Sequence, residues 1–373
     1  MKITDIKVNR LKPPEGTPES FVGTAGRLVV RIFTDEGVVG IAEGSRNLSV
    51  MRAYVDDLIK PLLVGMDPVQ PRKIWELLTL GRGERATRFP SQIVGTIDVA
   101  LWDIAGKAAG LPLYAMFGGA ARTEIPLYWS RGSGWRKQPE EMLEEVQEGF
   151  EKGYRSFKIR MDWRDYRQDA DPAKDFAIFK KCREWLPDEV PLSFDANCGY
   201  SVPTAIEQGR RFEELGIAHF EEPLPQYDLR GLRQVVDALD CAVSTGEQEI
   251  SAWRFRDLMD LANPDILQPD VLNVGGLSEM IRVYEMAVAN NKIVMPHSPN
   301  IGANSMASLQ LYATVTNAVR LHEFSEEFTG PIDRVAELFV DPIVPNNGSI
   351  TLSDRSGLGL EFDEKALDKA IAE

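Results

Sequence analysis

Apolar and polar positions alternate over residues 1 to 45, and the stretch LVVRIFTDEGVVGIAEG predicts a β-hairpin turning around Asp35-Glu36-Gly37. The interruption LKPPEGTPESFVGTAG, rich in Pro, Gly and Ser, breaks the alternation and is expected to be a loop, of a length typical of lids. From about Asn47 to Gly119 the period changes. Apolar residues recur three and four apart in MRAYVDDLIKPLLVG, PVQPRKIWELL and IVGTIDVALWDIAGKAAG, and the last of these closes on a glycine C-cap. A third regime begins with IPLYWSRG at Ile125, after which short apolar runs alternate with amphipathic segments. Those segments, PEEMLEEVQEGFEKG, FAIFKKCREWL, VPTAIEQGRRFEELG, LRGLRQVVDAL, SAWRFRDLMDLA and LSEMIRVYEMAVANN, each predict a helix. Strands alternating with helices give a parallel sheet, and this many units close it into a barrel.

The strand-like runs end on groups that carry charge. Asp195 follows PLSF, Glu221 follows IAHF and Glu247 closes CAVSTGE, at equal intervals of about 26 residues. That is roughly one β/α unit, and in such barrels catalytic groups sit at the C-terminal ends of successive strands. A lone Asp at a strand end is more often a helix N-cap. Three acids in matched register instead converge on one point, where hard oxygen ligands suit Mg²⁺ with water or substrate oxygens completing its shell. The series continues with Asp270 after PDILQP, His297 after NKIVMP and Glu323 after AVRLH. Upstream, Lys158 and Arg160 in SFKIRMD share one strand face by the period of two.

With these residues the chain resembles the enolase superfamily, most closely its mandelate racemase branch, over essentially its full length. ALWDIAGKAAGLPLYAMFGGAAR is similar to the family's first signature, although its residues alone read as a packed helix whose small side chains let another element approach. The resemblance implies an α/β architecture: a modified TIM (β/α) barrel at 122–349 with an α+β N-terminal capping domain at 1–121, on which 350–373 packs back. It implies a Mg²⁺ site at Asp195, Glu221 and Glu247, a His297–Asp270 dyad, a Lys-x-Arg pair at 158 and 160, and Glu323 as an acid on the carboxylate side. It also implies that the Pro-rich loop and the turn at Gly44 to Asn47 close over the barrel mouth, which nominates Glu15, Thr17, Ser20, Arg46 and Asn47 for substrate contact. Asn197, on the face of Asp195, and Tyr128, near the exit of the first barrel strand, are further candidates. Arg82, Arg85 and Arg88 read as a solvated charge cluster. Alternation predicts that Glu222 and His322 point away from the lumen; Glu249 falls in the following loop or helix start, and His219, sharing parity with Glu221 but one layer lower, reads as structural.

Charge narrows the range of partners. A net charge of −15 argues against nucleic acid as a partner, and an anionic substrate must then be held by local cations and metal. Three cysteines without CxxC spacing fit a reduced cytoplasmic compartment. No apolar run approaches the roughly 18 residues of a membrane span, and MKITDIKVNRL lacks the apolar core of a signal peptide. The apolar segment ending in AMFGG, together with the resemblance, implies a homo-oligomer, from dimer to octamer.

The chemistry expected of this set is removal of a proton α to a carboxylate. Mg²⁺ as Lewis acid, Lys158 as a cation and a protonated Glu323 as donor would stabilise the dianion that forms, while His297 takes the proton. The imidazolium can then protonate a β-hydroxyl, and water leaves. The family's racemases place a basic lysine where this chain has Arg160, and arginine is effectively never deprotonated. Racemisation needs two bases and dehydration one, so the sequence favours an acid-sugar dehydratase giving a 2-keto-3-deoxy acid. The alternatives are a racemase or epimerase of a 2-hydroxy acid or related carboxylate and, more remotely, a catalytically silent sugar-acid binding protein.

Overall fold

In a computed structural model of the protein, residues 1–12, 28–44, 47–80, 89–163, 168–316, 318–329 and 332–372 are described. Strands β1 (Ile3–Arg10), β2 (Leu28–Thr34) and β3 (Val39–Gly44) form an antiparallel sheet in sequence order. The β2–β3 hairpin turns at Gly37, whose φ of 79° is one that side-chain-bearing residues seldom adopt. Helix α1 (Leu48–Tyr54) runs on through a π turn at Val55–Ile59 into Lys60–Leu63. Pro61 has no N–H to return to the preceding turn, and the wider turn ahead of it absorbs the break. Helices α2 (Pro71–Thr79) and α3 (Ser91–Ala109) follow. Because α3 is apolar on most sides, it can be buried between the small sheet and the barrel. Gly40 of β3 lies so close to the Ala100 carbonyl that a Cβ would not fit, and Gly95 meets the backbone of Leu272 and Gly276.

The barrel strands are β4 (Glu124–Arg131), β5 (Phe157–Arg160), β6 (Leu192–Asp195), β7 (Phe220–Glu221), β8 (Val243–Thr245), β9 (Ile266–Leu267), β10 (Ile293–Val294) and β11 (His322–Phe324). They pair in parallel in the order β10-β9-β8-β7-β6-β5-β4-β11, with β12 (Ser349–Thr351) antiparallel against β4. Among the described residues no ladder joins β10 to β11, so the sheet is open at that seam. Each connection from β4 to β11 carries a helix: α4 (Pro139–Glu151), α5 (Pro172–Trp185), α6 (Val202–Glu214), α7 (Leu229–Ala238), α8 (Ser251–Leu261), α9 (Leu277–Ala289) and α10 (Ala303–Tyr312). Periodicity does not reveal α10, because ANSMASLQLY is buried on nearly every side and has no polar face to mark a period.

The outer faces of the strands join the helices and the small sheet in one continuous apolar core, whereas the lumen has its own small plug of Tyr128, Ile266 and Met295. The C-terminal segment returns to the start of the chain. Ile371 bridges Leu11, the Leu358 amide donates to Asp103 Oδ1 at 2.9 Å, and Arg31 meets Glu364 at 3.2 Å. No described helix is long and apolar enough to cross a membrane. The Pro-rich loop, Arg46 and the Arg82, Arg85 and Arg88 cluster lie outside the described residues.

Candidate active site

Strand alternation turns Lys158 and Arg160 into the lumen and leaves Phe157 and Ile159 to the helices. Register then does the rest. Arg160 stands beside Asp195 and Asp195 beside Glu221, so register alone brings these three positions together without any loop. Glu247 lies two residues past β8, reached through Gly246 at φ 128°, where a Cβ would strike the Phe255 ring. Asp195, Glu221 and Glu247 each offer an oxygen within 4.8 Å of the others.

These acids are short of counter-charge. Burial and Glu221 push Asp195 well above the usual aspartate range despite Lys158, and burial raises Glu247 although His297 opposes it. Burial acts on Glu221 too, but Lys158 and His219 hold it well below the ordinary glutamate value. Lys158 Nζ sits 2.5 Å from Glu221 Oε1, 3.0 Å from Glu323 Oε1 and 3.9 Å from Asp195 Oδ2. The other Glu221 oxygen accepts from Gln268 Nε2 at 2.7 Å and faces His219 Nε2 at 3.3 Å. His219 is itself fixed by Ser193 Oγ at 2.8 Å from Nδ1. One buried lysine therefore serves three carboxylates, and this set of hard oxygen donors fits a divalent cation that would supply the missing charge.

On the far strands, His297 Nδ1 stands 2.9 Å from Asp270 Oδ2. The amides of Leu272 and Asn273 donate to Asp270 Oδ1 at 2.8 and 2.9 Å, which leaves Oδ2 aimed at the imidazole. His297 Nε2 then faces Glu247 at 3.5 Å and Glu323 at 3.9 Å. Burial works against the imidazolium, but Glu247, Asp270 and Glu323 outweigh it and raise its pKa to about 10. The His297 side chain is 23% exposed and Asp270 18%, against 1% for Lys158, so the opening to solvent is on the histidine side.

Burial favours a neutral Glu323, but Lys158 and His297 keep its pKa below the ordinary value. Glu222 departs from regular strand geometry at φ 40°, and its buried carboxyl is pushed up by burial and by Glu247 and Glu221. Arg160 donates to Asp162 Oδ1 at 3.1 Å and to Glu327 Oε2 at 2.7 Å. Asn197 receives the Asp162 amide at 2.6 Å and donates from Nδ2 to Asp195 at 3.0 Å. Tyr128 lies low in the lumen with Ile266 and Met295, and Asn47 caps α1 through the Val50 amide. His322 faces Ser308 on α10 at 3.2 Å, outside the lumen. Asp162, Gln268 and Glu327 escape sequence reasoning. Gln268 alone carries a signal, since it lies between two buried residues of a strand end, directly before the Pro269-Asp270 step.

A β/α barrel with an acid triad at adjacent strand ends and a His–Asp pair across the mouth defines a class, and comparison with known proteins gives it a family. Residues 2–118 match the mandelate racemase / muconate lactonizing enzyme N-terminal domain, and residues 141–366 match the enolase C-terminal domain-like family. The chain belongs to the mandelate racemase/muconate lactonizing enzyme family of the enolase superfamily. It is 30% identical over 306 residues to the L-talarate/galactarate dehydratase of Salmonella typhimurium, covering 82% of this chain and 72% of that one. It is 29% identical to the D-galactarolactone cycloisomerase of Agrobacterium fabrum over 98% of both chains. A mandelate racemase/muconate lactonizing protein from Paracoccus denitrificans, solved in complex with magnesium, superposes with a TM-score of 0.88 at 30% identity, covering 99% of this chain and 96% of that one.

Proposed function

We propose that the protein is a Mg²⁺-dependent hydro-lyase that converts an acid sugar to a 2-keto-3-deoxy acid. The observation that carries this reading is the asymmetry of the mouth: one imidazole able to take and return a proton, and an arginine where a second base would stand. Asp195, Glu221 and Glu247 would hold the cation. When bound, Mg²⁺ supplies positive charge against the substrate carboxylate and, by neutralising Glu247, relieves the pull that keeps His297 protonated. His297 Nε2 removes the C2 proton, with Asp270 fixing the tautomer through Nδ1. Lys158 stabilises the charge that develops on the carboxylate oxygens. Glu323 shares Lys158 with Glu221, so an arriving carboxylate that draws Lys158 away favours protonation of Glu323, which can then donate. The C3 hydroxyl leaves with the proton carried by His297 Nε2, one water is lost, and the enol becomes the 2-keto acid.

The talarate/galactarate dehydratase among the relatives supports this reading. The cycloisomerase, similar along almost the whole of both chains, supports a second, in which a ring oxygen replaces the C3 hydroxyl as leaving group. A screen of acid sugars and sugar lactones with Mg²⁺, assaying 2-keto acid and identifying products by NMR, separates the two. Keto acid formed with loss of water is expected. Ring opening without net loss of water would install the cycloisomerase, and no turnover of any member would favour a silent binding protein.

A further inference from the structure

Glu323 lies on β11, which among the described residues is paired only with β4. The acids that follow it turn back over β4 and β5. Glu326 meets Lys152 at 2.7 Å and Arg131 at 3.7 Å. Glu327 Oε2 accepts from Arg160 Nη2 and from the Gly132 amide, both at 2.7 Å, with Lys137 at 3.6 Å from its other oxygen. The second terminal nitrogen of Arg160 goes to Asp162, whose other oxygen accepts the Ser133 amide at 2.7 Å. The Asp162 amide donates to Asn197 Oδ1 at 2.6 Å, and Asn197 in turn donates to Asp195 from its amide at 2.7 Å and from Nδ2 at 3.0 Å.

The path from Glu327 through Arg160, Asp162 and Asn197 to Asp195 is unbroken and crosses the exits of β11, β4, β5 and β6. Ser133, Asp162 and Asn197 stand at φ 56°, 51° and 45°, conformations that persist only where surrounding contacts fix them, and Asp162 bonds to both of the others. Gly132 is needed for closure, since a Cβ there would fall on the Asp162 carboxylate and the Arg160 guanidinium. The side chains of Arg160 and Glu327 are 5% and 10% exposed, so their pairing is withdrawn from water, where charge-assisted bonds are strong. A guanidinium forked between two carboxylates is a fixed geometry that lysine cannot reproduce.

We propose that Arg160 is a positioning residue that locks the strand end carrying the metal ligand Asp195 to the strand end carrying Glu323, with Asp162 and Glu327 as its two grips. This rests on the metal reading above. The test uses the full chain with Mg²⁺ alone: calorimetric affinity, thermal midpoint, and amide exchange by mass spectrometry over 322–325, for Asp162→Asn, Glu327→Gln and Arg160→Lys. Asp162→Asn should weaken Mg²⁺ binding by about 10–100-fold, the range for partners that orient metal ligands. Glu327→Gln should leave Mg²⁺ binding nearly unchanged but speed exchange over 322–325 relative to 293–294. Arg160→Lys should do both, each to a smaller degree. Unchanged Mg²⁺ affinity in Asp162→Asn, or unchanged exchange in Glu327→Gln, overturns the proposal. If either of these fails to fold, Arg160→Lys decides, and two unaltered readouts in that variant overturn it. Wild-type protein that binds no Mg²⁺, or an Asp195→Asn variant that binds as tightly, would overturn the metal reading instead, and the exchange measurement then still judges the Glu327 grip.

Discussion

His297 and Arg160 look into the same mouth from β10 and β5, with β6, β7, β8 and β9 between those strands, and the two walls are built differently. The His297 wall is braced from outside the barrel by neutral hydrogen bonds and one buried acid. Trp75 Nε1 donates to the Gly275 carbonyl at 2.8 Å, Gln92 Nε2 to Asn273 at 2.6 Å, and Asp98 accepts both the amide and the hydroxyl of Ser278 at 2.8 and 2.6 Å. These contacts hold the 268–278 segment that presents Asp270. The Arg160 wall is braced from within, by ion pairs to Asp162 and Glu327. The first arrangement leaves a titratable ring partly open to solvent, whereas the second buries a cation that cannot give up its proton. On the proposed reading, a proton passes through the His297 wall alone, which suffices for a dehydratase but not for a two-base racemase.

The largest expected effect lies on the histidine wall. His297→Asn should lower kcat for dehydration by about 10²-fold or more, the scale of a lost general base. Retention of most activity would mean the proton is taken elsewhere. Next comes stereochemistry. Substrate recovered from a partial reaction in D₂O should carry deuterium at C2, if at all, without inversion. Arg160→Lys should not change this, because Asp162 and Glu327 would keep the ammonium charged. NMR of recovered substrate showing inversion by wild-type enzyme at a rate near that of dehydration would break the contrast between the walls.

Between the walls, Gln268→Leu removes the donor to Glu221 Oε2. A weakening of Mg²⁺ binding by about tenfold is expected by calorimetry, and an unaltered affinity would show that Lys158 and His219 suffice to orient Glu221. The smallest effect is at Asp98, behind the histidine wall. Burial raises its pKa to about 7, against the opposing bonds from Ser278. A carboxyl that is more basic folded than unfolded contributes stability fully present below about pH 4 and lost as pH rises through about 7. Asp98→Asn keeps an acceptor for the Ser278 amide and does not ionise. Its thermal midpoint should therefore fall less between pH 5 and pH 8 than that of wild type, a difference of no more than a few kcal/mol in stability. Parallel midpoint curves for the two proteins would remove Asp98 from the account of that wall.

The sequence by itself determined the barrel and the principal residues at its mouth. The acids repeat at about one β/α unit, so those one unit apart stand on adjacent strands at one height, and Lys158 and Arg160 must share a face because successive side chains on a strand alternate. His297 and Asp270 were legible for the same reason. What Arg160 does was decided only by tertiary structure. Its grip on Glu327 spans 167 residues, and no local period links positions so far apart. The positive φ of Glu222 is one that alternation cannot foresee, and the hydrogen bond of Gln268 to Glu221 joins strands two apart across the lumen. The lowered pKa of Glu323 likewise comes from where Lys158 Nζ rests among three acids, since electrostatic balance depends on distances in space whereas periodicity reports only which face a residue is on.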